Sequence, residues 1–326
     1  MNTDTEERII SYIKKHKRVS PKELIDYLAI SPRAVFKQLK KLFEKGRIEK
    51  IGLPPKVFYS LYERVEIEEE DLLINEEDIL IISNNFYLIT PLGEEKFGID
   101  AFKYWCERQN LPVNKTAKEY IKTYHKYHKY KQDNLIKGIA KMNTTFSQVF
   151  LDKLYYLDFY AIERFGKTKL GQQLLLAKQS QNVRQIRELI KEIEPRLRFL
   201  IKKYSIDCLG FIPPTVKREV QIINEMKKYL SFQLPLLNIN KIKTPIIIPQ
   251  KTLNKLNDRV ENAKNTIIVE DNRVFENILL IDDAVGSGST LNETAKQIRE
   301  KKLCKKLLIG LAITGSFKGF DVISEV

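Results

Sequence analysis

The sequence predicts a multidomain protein: a small helical unit closed by a β-hairpin, a mostly helical middle segment, and a C-terminal α/β unit with a mainly parallel sheet. Three observations carry this expectation. Two serine–proline helix starts, Ser20-Pro21 and Ser31-Pro32, follow each other closely and lead into a Gly/Pro turn. Apolar residues then recur at helical spacing through the middle of the chain. From Tyr204 onward, short apolar runs alternate with polar or helical stretches, the pattern of strands linked by helices. The expected division is residues 1–62, 63–203 and 204–326.

In the first segment, Ile9, Ile10 and Ile13 place an apolar face on a first helix. Ser20-Pro21-Lys22-Glu23 is a capping box with proline at the first helical position, so a second helix starts at Pro21 and turns Leu24, Ile25 and Leu28 inward. Ser31-Pro32 starts a third, with Val35, Leu39 and Leu42 as its buried stripe and Gly46 as its stop. Strands at 47–51 and 56–61 follow, joined by Gly52-Leu53-Pro54-Pro55. Helix, helix, tight turn, helix and hairpin resemble the winged-helix DNA-binding domains. The resemblance implies contact with double-stranded DNA through Arg33, Lys37, Lys40 and Lys41 on the third helix, with Lys56 on the hairpin. Fifteen lysines and arginines against eight acids before residue 65 suit a polyanion, although winged helices also dock on proteins.

The middle segment opens with an acidic stretch, Glu66 to Asp78, free of lysine and arginine. A short hairpin is expected at Ile79 to Ile82 and Phe86 to Ile89, and long helices after it. Tyr120, Tyr124 and Tyr127 recur at helical spacing, as do Ile186, Leu189, Ile190 and Ile193. The tyrosine stripe reads as a packing face before it reads as a base-stacking one. His125 and His128 share a helix face without a carboxylate or cysteine beside them, so a solvated helix is expected over a metal site. Gly166-Lys167-Thr168 fails as a phosphate-binding P-loop, because Ala161 stands where the motif needs glycine and no strand is expected before it.

In the third segment the apolar runs are 206–212, 234–242, 278–281 and 307–313. The strongest chemical signal is Asn277-Ile278-Leu279-Leu280-Ile281-Asp282-Asp283-Ala284-Val285-Gly286-Ser287-Gly288-Ser289-Thr290. An apolar strand ends in two carboxylates, a small-residue loop follows, and a helix runs from Leu291 to Lys301. Such a loop turns backbone N–H groups toward one anion, and the helix N-terminus adds free amides and partial positive charge. Ser287, Ser289 and Thr290 add hydroxyls. Paired carboxylates accept hydrogen bonds from the vicinal hydroxyls of a ribose and suit a nearby magnesium ion.

This run resembles the PRPP-binding motif of type I phosphoribosyltransferases, with the ComF-like branch as the nearest pattern. The resemblance implies a phosphoribosyltransferase fold. It implies Asp282 and Asp283 on the ribose hydroxyls, Ala284, Val285 and Gly286 to Thr290 around the 5-phosphate, and Mg2+ carried with PRPP near the two acids, not a metal held directly. It also implies a pyrophosphate loop after the first strand of the segment, at Pro213, Pro214, Thr215, Lys217 and Arg218, where a cis bond at Pro213–Pro214 would hold a sharp loop. Here the chain reads Arg218-Glu219-Val220-Gln221-Ile222 instead of the branch's usual Arg-Gly-Phe-Asn-Gln. Gln250, Lys251, Leu253, Arg259 and Asn262 resemble the branch's mobile loop. Closure of that loop implies that Lys251 and Arg259 neutralise charge on departing pyrophosphate, as catalytic residues beside Asp282 and Asp283.

The 326 residues carry a formal net charge of +14, which favours nucleic acid or a phosphate-rich small molecule without choosing between them. Three scattered cysteines, Cys106, Cys208 and Cys304, argue against a disulfide framework or a zinc site. With no signal peptide and no membrane-length apolar run, the expectation is a cytoplasmic protein without a membrane partner. Two functions remain open. One is an enzyme that transfers the ribosyl 5-phosphate of PRPP to an acceptor the sequence does not name. The other resembles the purine-operon repressors, in which PRPP or a nucleotide biases DNA binding without catalysis. A homodimer is compatible with both.

Overall fold

A computed structural model describes residues 5–52, 54–61, 73–216, 218–230, 232–242, 252–253 and 255–316. The chain divides into two compact units, Met1–Asp71 with Thr90–Glu94, and Leu72–Ile89 with Glu95–Val326.

The first unit holds α1 (Thr5–His16), α2 (Pro21–Leu28), α3 (Pro32–Glu44), β1 (Ile48–Ile51) and β2 (Phe58–Leu61). Its helix starts are the ones the sequence marks. The Ser20 hydroxyl accepts from Glu23 N–H, and the Glu23 carboxylate accepts from Ser20 N–H at 2.6 Å, closing the capping box. Ser31 accepts from Ala34 N–H at 3.3 Å. Gly46 ends α3 with φ 63, a left-handed conformation that glycine adopts without a Cβ clash. The strands pair antiparallel, Ile48 opposite Leu61 and Ile51 opposite Phe58, and Val19 bridges to Tyr59. Ile9, Ile13, Leu24, Val35, Leu39 and Leu42 form the core, one stripe from each helix. This unit is a winged helix.

The second unit begins with α4 (Glu76–Asn85), β3 (Tyr87–Ile89), β4 (Glu95–Phe97), α5 (Gly98–Arg108) and α6 (Val113–His128). It continues through β5 (Lys131–Gln132), β6 (Leu135–Lys137), α7 (Ile139–Thr145), β7 (Lys153–Phe159), α8 (Lys169–Ser180) and α9 (Val183–Lys203). Then come β8 (Cys208–Phe211), α10 (Ile222–Tyr229), β9 (Ile239–Lys241), α11 (Leu256–Thr266), β10 (Ile267–Val269), β11 (Ile278–Val285), α12 (Ser289–Glu300) and β12 (Leu308–Gly315).

Six strands form one sheet in the order β5-β6-β7-β12-β11-β8. β7, β12, β11 and β8 run parallel, and β5 and β6 add an antiparallel edge. All eight residues of β12 are buried, as a central strand covered on both faces requires. Leu154, Tyr156, Leu280 and Ala312 face a core shared with α5, α6 and α12. Tyr155, Leu157, Leu279, Ile281 and Leu311 face α8, α9 and α10. Among the described residues, no helix is long and apolar enough to cross a membrane.

Three expectations are corrected. The segment at 79–82 is not a strand but part of α4: Asn75 caps it by accepting from Asp78 N–H at 2.7 Å, and Glu76, Glu77 and Asp78 suit the positive end of a helix. The middle segment is less helical than its periodicity suggests, and β5, β6 and β7 pair into the same sheet as β8, β11 and β12. Residues on both sides of position 204 therefore share one core. The cis proline bond among the described residues is Pro54–Pro55, and Pro213–Pro214 is not cis.

Candidate sugar-phosphate site

β11 is apolar through Ile281 because it is a covered parallel strand, and it turns polar where it leaves the helices. Alternation along the strand sends its two acids to opposite faces. Asp283 meets α8, where Lys178 Nζ lies 2.9 Å from its Oδ1. Asp282 accepts from Asp283 N–H at 2.8 Å. Burial, and then the carboxylate of Asp283, push the Asp282 carboxyl up to about 7, against the pull of Lys178 and Lys241. Lys241, on β9, is itself held below the usual lysine range by burial, and its Nζ lies 3.4 Å from Thr215 Oγ1.

Past Val285 the chain turns through the small-residue loop. Gly288 is the N-cap of α12 at φ 85, and the Met142 side chain fills the space where its Cβ would stand. Ser287 and Ser289 are buried, with their hydroxyls 2.8 Å apart, so they bond each other. Thr290 is half-buried at the start of the helix. The first amides of α12 have no intrahelical partner, which suits an anion. Arg259 is buried on α11. Its Nε donates to the Leu253 carbonyl at 2.7 Å, and its guanidinium lies 3.7 Å from where a Gly286 Cβ would stand.

The sequence-predicted residues thus meet in part. Asp282, Asp283 and the loop from Ala284 to Thr290 are contiguous, and Arg259 lies against the loop. Pro214 and Arg218 line an open cleft of about 230 Å³ together with Asp283 and Lys178. Pro213 and Thr215 are half-buried beside it in sequence. Lys217, Gln250 and Lys251 lie outside the described residues. Sequence reasoning missed Lys178 and Lys241. Lys178 had one signal: it closes the apolar run Leu174-Leu175-Leu176-Ala177, where a buried lysine needs a partner. Among the described residues, no three histidine, cysteine or acidic side chains are grouped to hold a metal ion.

In the first unit, Arg33, Lys37 and Lys40 are exposed on α3, and Lys56 is exposed between the strands. Lys40 pairs loosely with Glu44 at 3.7 Å. Lys41 is exposed as well and pairs with Glu6 of α1, as Lys45 does at 2.8 Å. Those lysines hold the Glu6 carboxyl below its usual range. Phe36 and Phe43 are half exposed on the same helix, a feature the search for basic residues passed over.

Residues 2–49 match the family described as winged helix-turn-helix DNA-binding. No curated protein matches the chain.

Proposed function

We propose that the second unit binds Mg-PRPP at the β11–α12 junction and transfers its ribosyl 5-phosphate to an acceptor, and that the first unit binds double-stranded DNA. The carrying observation is the company around the paired acids: Lys178 on Asp283, Lys241 near Asp282, Arg259 against Gly286, and Arg218 on the cleft that Asp283 lines. Acids alone suit a sugar, and cations alone suit a phosphate. A phosphorylated ribose bearing pyrophosphate needs both.

In this reading Asp282 and Asp283 accept from the ribose hydroxyls, and the loop from Ala284 to Thr290 takes the 5-phosphate beside Arg259. The segment from Pro213 to Arg218 is assigned to the pyrophosphate. The carboxylates offer oxygens that suit magnesium, and the ion would neutralise charge on the leaving group. In the transfer, the bond from C1′ to the pyrophosphate oxygen breaks and its electron pair leaves with pyrophosphate. The lone pair of an acceptor nitrogen forms the new C1′–N bond, and the acceptor's proton is released. Lys251 and Arg259 would act on charge that grows as pyrophosphate departs. The test is release of pyrophosphate from Mg-PRPP across the common bases, with Lys251→Ala expected to lower turnover while PRPP still binds.

The family match of the first unit favours a second reading, a DNA-binding regulator for which PRPP or a nucleotide is the effector. Binding of PRPP with no pyrophosphate release on any base, together with a PRPP-dependent shift in DNA affinity, would select it.

A further inference from the structure

A second recess opens beside the end of β7. The space between its walls totals about 490 Å³, part of it open to solvent. Its walls are aromatic: Tyr120, Tyr124 and Tyr127 of α6, with Phe86, Phe159 and Phe165. Asn85 and His128 line it too, with charged groups in two further places. Asp158, the penultimate residue of β7, pairs with Lys131 at 3.0 Å. Lys167, Thr168 and Lys169 line the far wall at the start of α8. That strand does precede Gly166-Lys167-Thr168, contrary to expectation, but Ala161 still excludes a P-loop, and Thr168 serves as the N-cap of α8 by accepting from Gly171 N–H at 3.0 Å.

The register ties this recess to the paired acids. Asp158 lies opposite Thr314 of β12, and Thr314 lies opposite Ala284 of β11. Asp158 and the paired acids therefore lie at the same edge of the sheet, with Ala284 packed toward the core that holds α8, α9 and α10. Two strand spacings, about 10 Å, separate Asp158 from Ala284. The Thr314 hydroxyl between them is fully buried and has no hydrogen-bond partner among the described residues. A buried polar group left so is costly unless something reaches it.

We infer that this recess is the acceptor subsite and takes a planar heteroaromatic ring carrying carbonyl or carboxylate oxygens. The inference rests on the proposed ribose-phosphate site. Flat aromatic walls select a flat ring through stacked and edge-on contacts. Asp158 accepts from a ring N–H, while Lys131, Lys167 and Lys169 outnumber it and favour oxygen-rich or anionic edges. A ring held there would lie at the same edge of the sheet as the proposed ribose site, two strands away from β11.

The chain's single tryptophan reports on the recess, because Trp105 packs against Phe165 at 5.6 Å and Phe86 at 6.0 Å. Full-length protein is titrated with uracil, hypoxanthine, nicotinate and orotate while Trp105 fluorescence is read, and Mg-PRPP affinity is measured separately by calorimetry. At least one ring should give a saturable change. Tyr124→Ala should weaken that ring at least tenfold, Tyr124→Phe should restore it, and PRPP affinity should stay the same in both. Lys169→Ala, at the half-buried first position of α8, is a second variant, expected to weaken a carboxylate-bearing ring several-fold. No saturable change with any of the four rings, or wild-type affinity in both Tyr124→Ala and Lys169→Ala, overturns the inference even if PRPP binds. Ring binding that responds to these variants without PRPP binding supports the recess and overturns the proposed function instead.

Discussion

Two strands of the same sheet end in the same kind of contact and lead to different surroundings. Asp158 at the end of β7 meets Lys131 at 3.0 Å, and Asp283 at the end of β11 meets Lys178 at 2.9 Å. The four side chains are between 10% and 23% exposed, so both pairs are shielded from solvent to a similar degree. Beyond the pair everything differs. Asp283 stands beside a second acid, a small-residue loop and a helix start. Asp158 stands among tyrosines and phenylalanines. Ligands of open α/β sheets bind outside the carboxyl ends of the strands, so both acids sit where a ligand is met. The neighbours differ along that edge, and the two proposals above assign its halves to sugar-phosphate and to a flat ring.

The largest effect should come from breaking this symmetry at β11. In the proposed reading Asp283→Ala would remove contacts to ribose, and it leaves Lys178 without its carboxylate. Hydrogen bonds to charged groups contribute about 1.5–3 kcal/mol, so Mg-PRPP affinity should fall about tenfold to a hundredfold. Asp158→Ala should leave PRPP affinity unchanged. Calorimetry on both variants checks the division, and equal losses would mean that the two acids belong to one undivided site.

A second difference can be read from pH. Asp158 has no acid beside it, whereas Asp282 has Asp283. Burial and that neighbour push the Asp282 carboxyl up to about 7, so it stays protonated in the folded protein where the unfolded chain has already ionised. The stability this group contributes is complete below the ordinary aspartate range, near 4, and is lost as pH rises through about 7. Asp282→Asn cannot ionise and escapes the loss. Its melting temperature relative to wild type should therefore rise between pH 4 and pH 8, by a few degrees at pH 8. A difference that stays constant across that window would show that Asp282 is not the group held neutral.

What the sequence made legible follows from how local each signal is. The winged helix is specified by caps and stripes that act within a turn or two, such as Ser20 with Glu23 and Ser31 with Ala34, and its helices begin where those residues stand. The run from Asp282 to Thr290 is contiguous, so its strand, loop and helix could be read as one piece. Lys178 and Lys241 could not be placed, because α8 and β9 bring them to the acids only through the folded sheet. β7 was hidden among helices: its Leu154-Tyr155-Tyr156-Leu157 run is buried on both faces and so has no alternation to read. The strand expected at 79–82 failed for the opposite reason. Its β-branched run suggested extended chain, and the cap and acids just before it decided for a helix.

A third lysine–carboxylate pair, in the other unit, gives the smallest effect and sharpens the contrast. Lys41 and Lys45 both pair with Glu6, but their side chains are about half exposed, unlike those of Lys131 and Lys178. Exposed pairs contribute little to stability, so Glu6→Gln should leave the melting temperature nearly unchanged. Its consequence lies in DNA binding. Lys37 is exposed on α3 with no ion pair among the described residues, whereas Lys41 is partly neutralised by Glu6. In gel-shift titrations of full-length protein over a salt series, Lys37→Ala should weaken DNA binding and lower the salt slope by about one unit, the mark of one lost phosphate contact. Lys41→Ala should cost less in both affinity and slope. Glu6→Gln should act in the opposite direction, releasing two lysines, raising affinity modestly and steepening the slope. Arg33, at the first turn of α3, differs again: its replacement should relax sequence preference along with affinity if it reaches a base edge. Equal losses from Lys37→Ala and Lys41→Ala would show that DNA displaces Glu6 from its lysines, and the pair would then be a latch released by DNA instead of a fixed part of the fold.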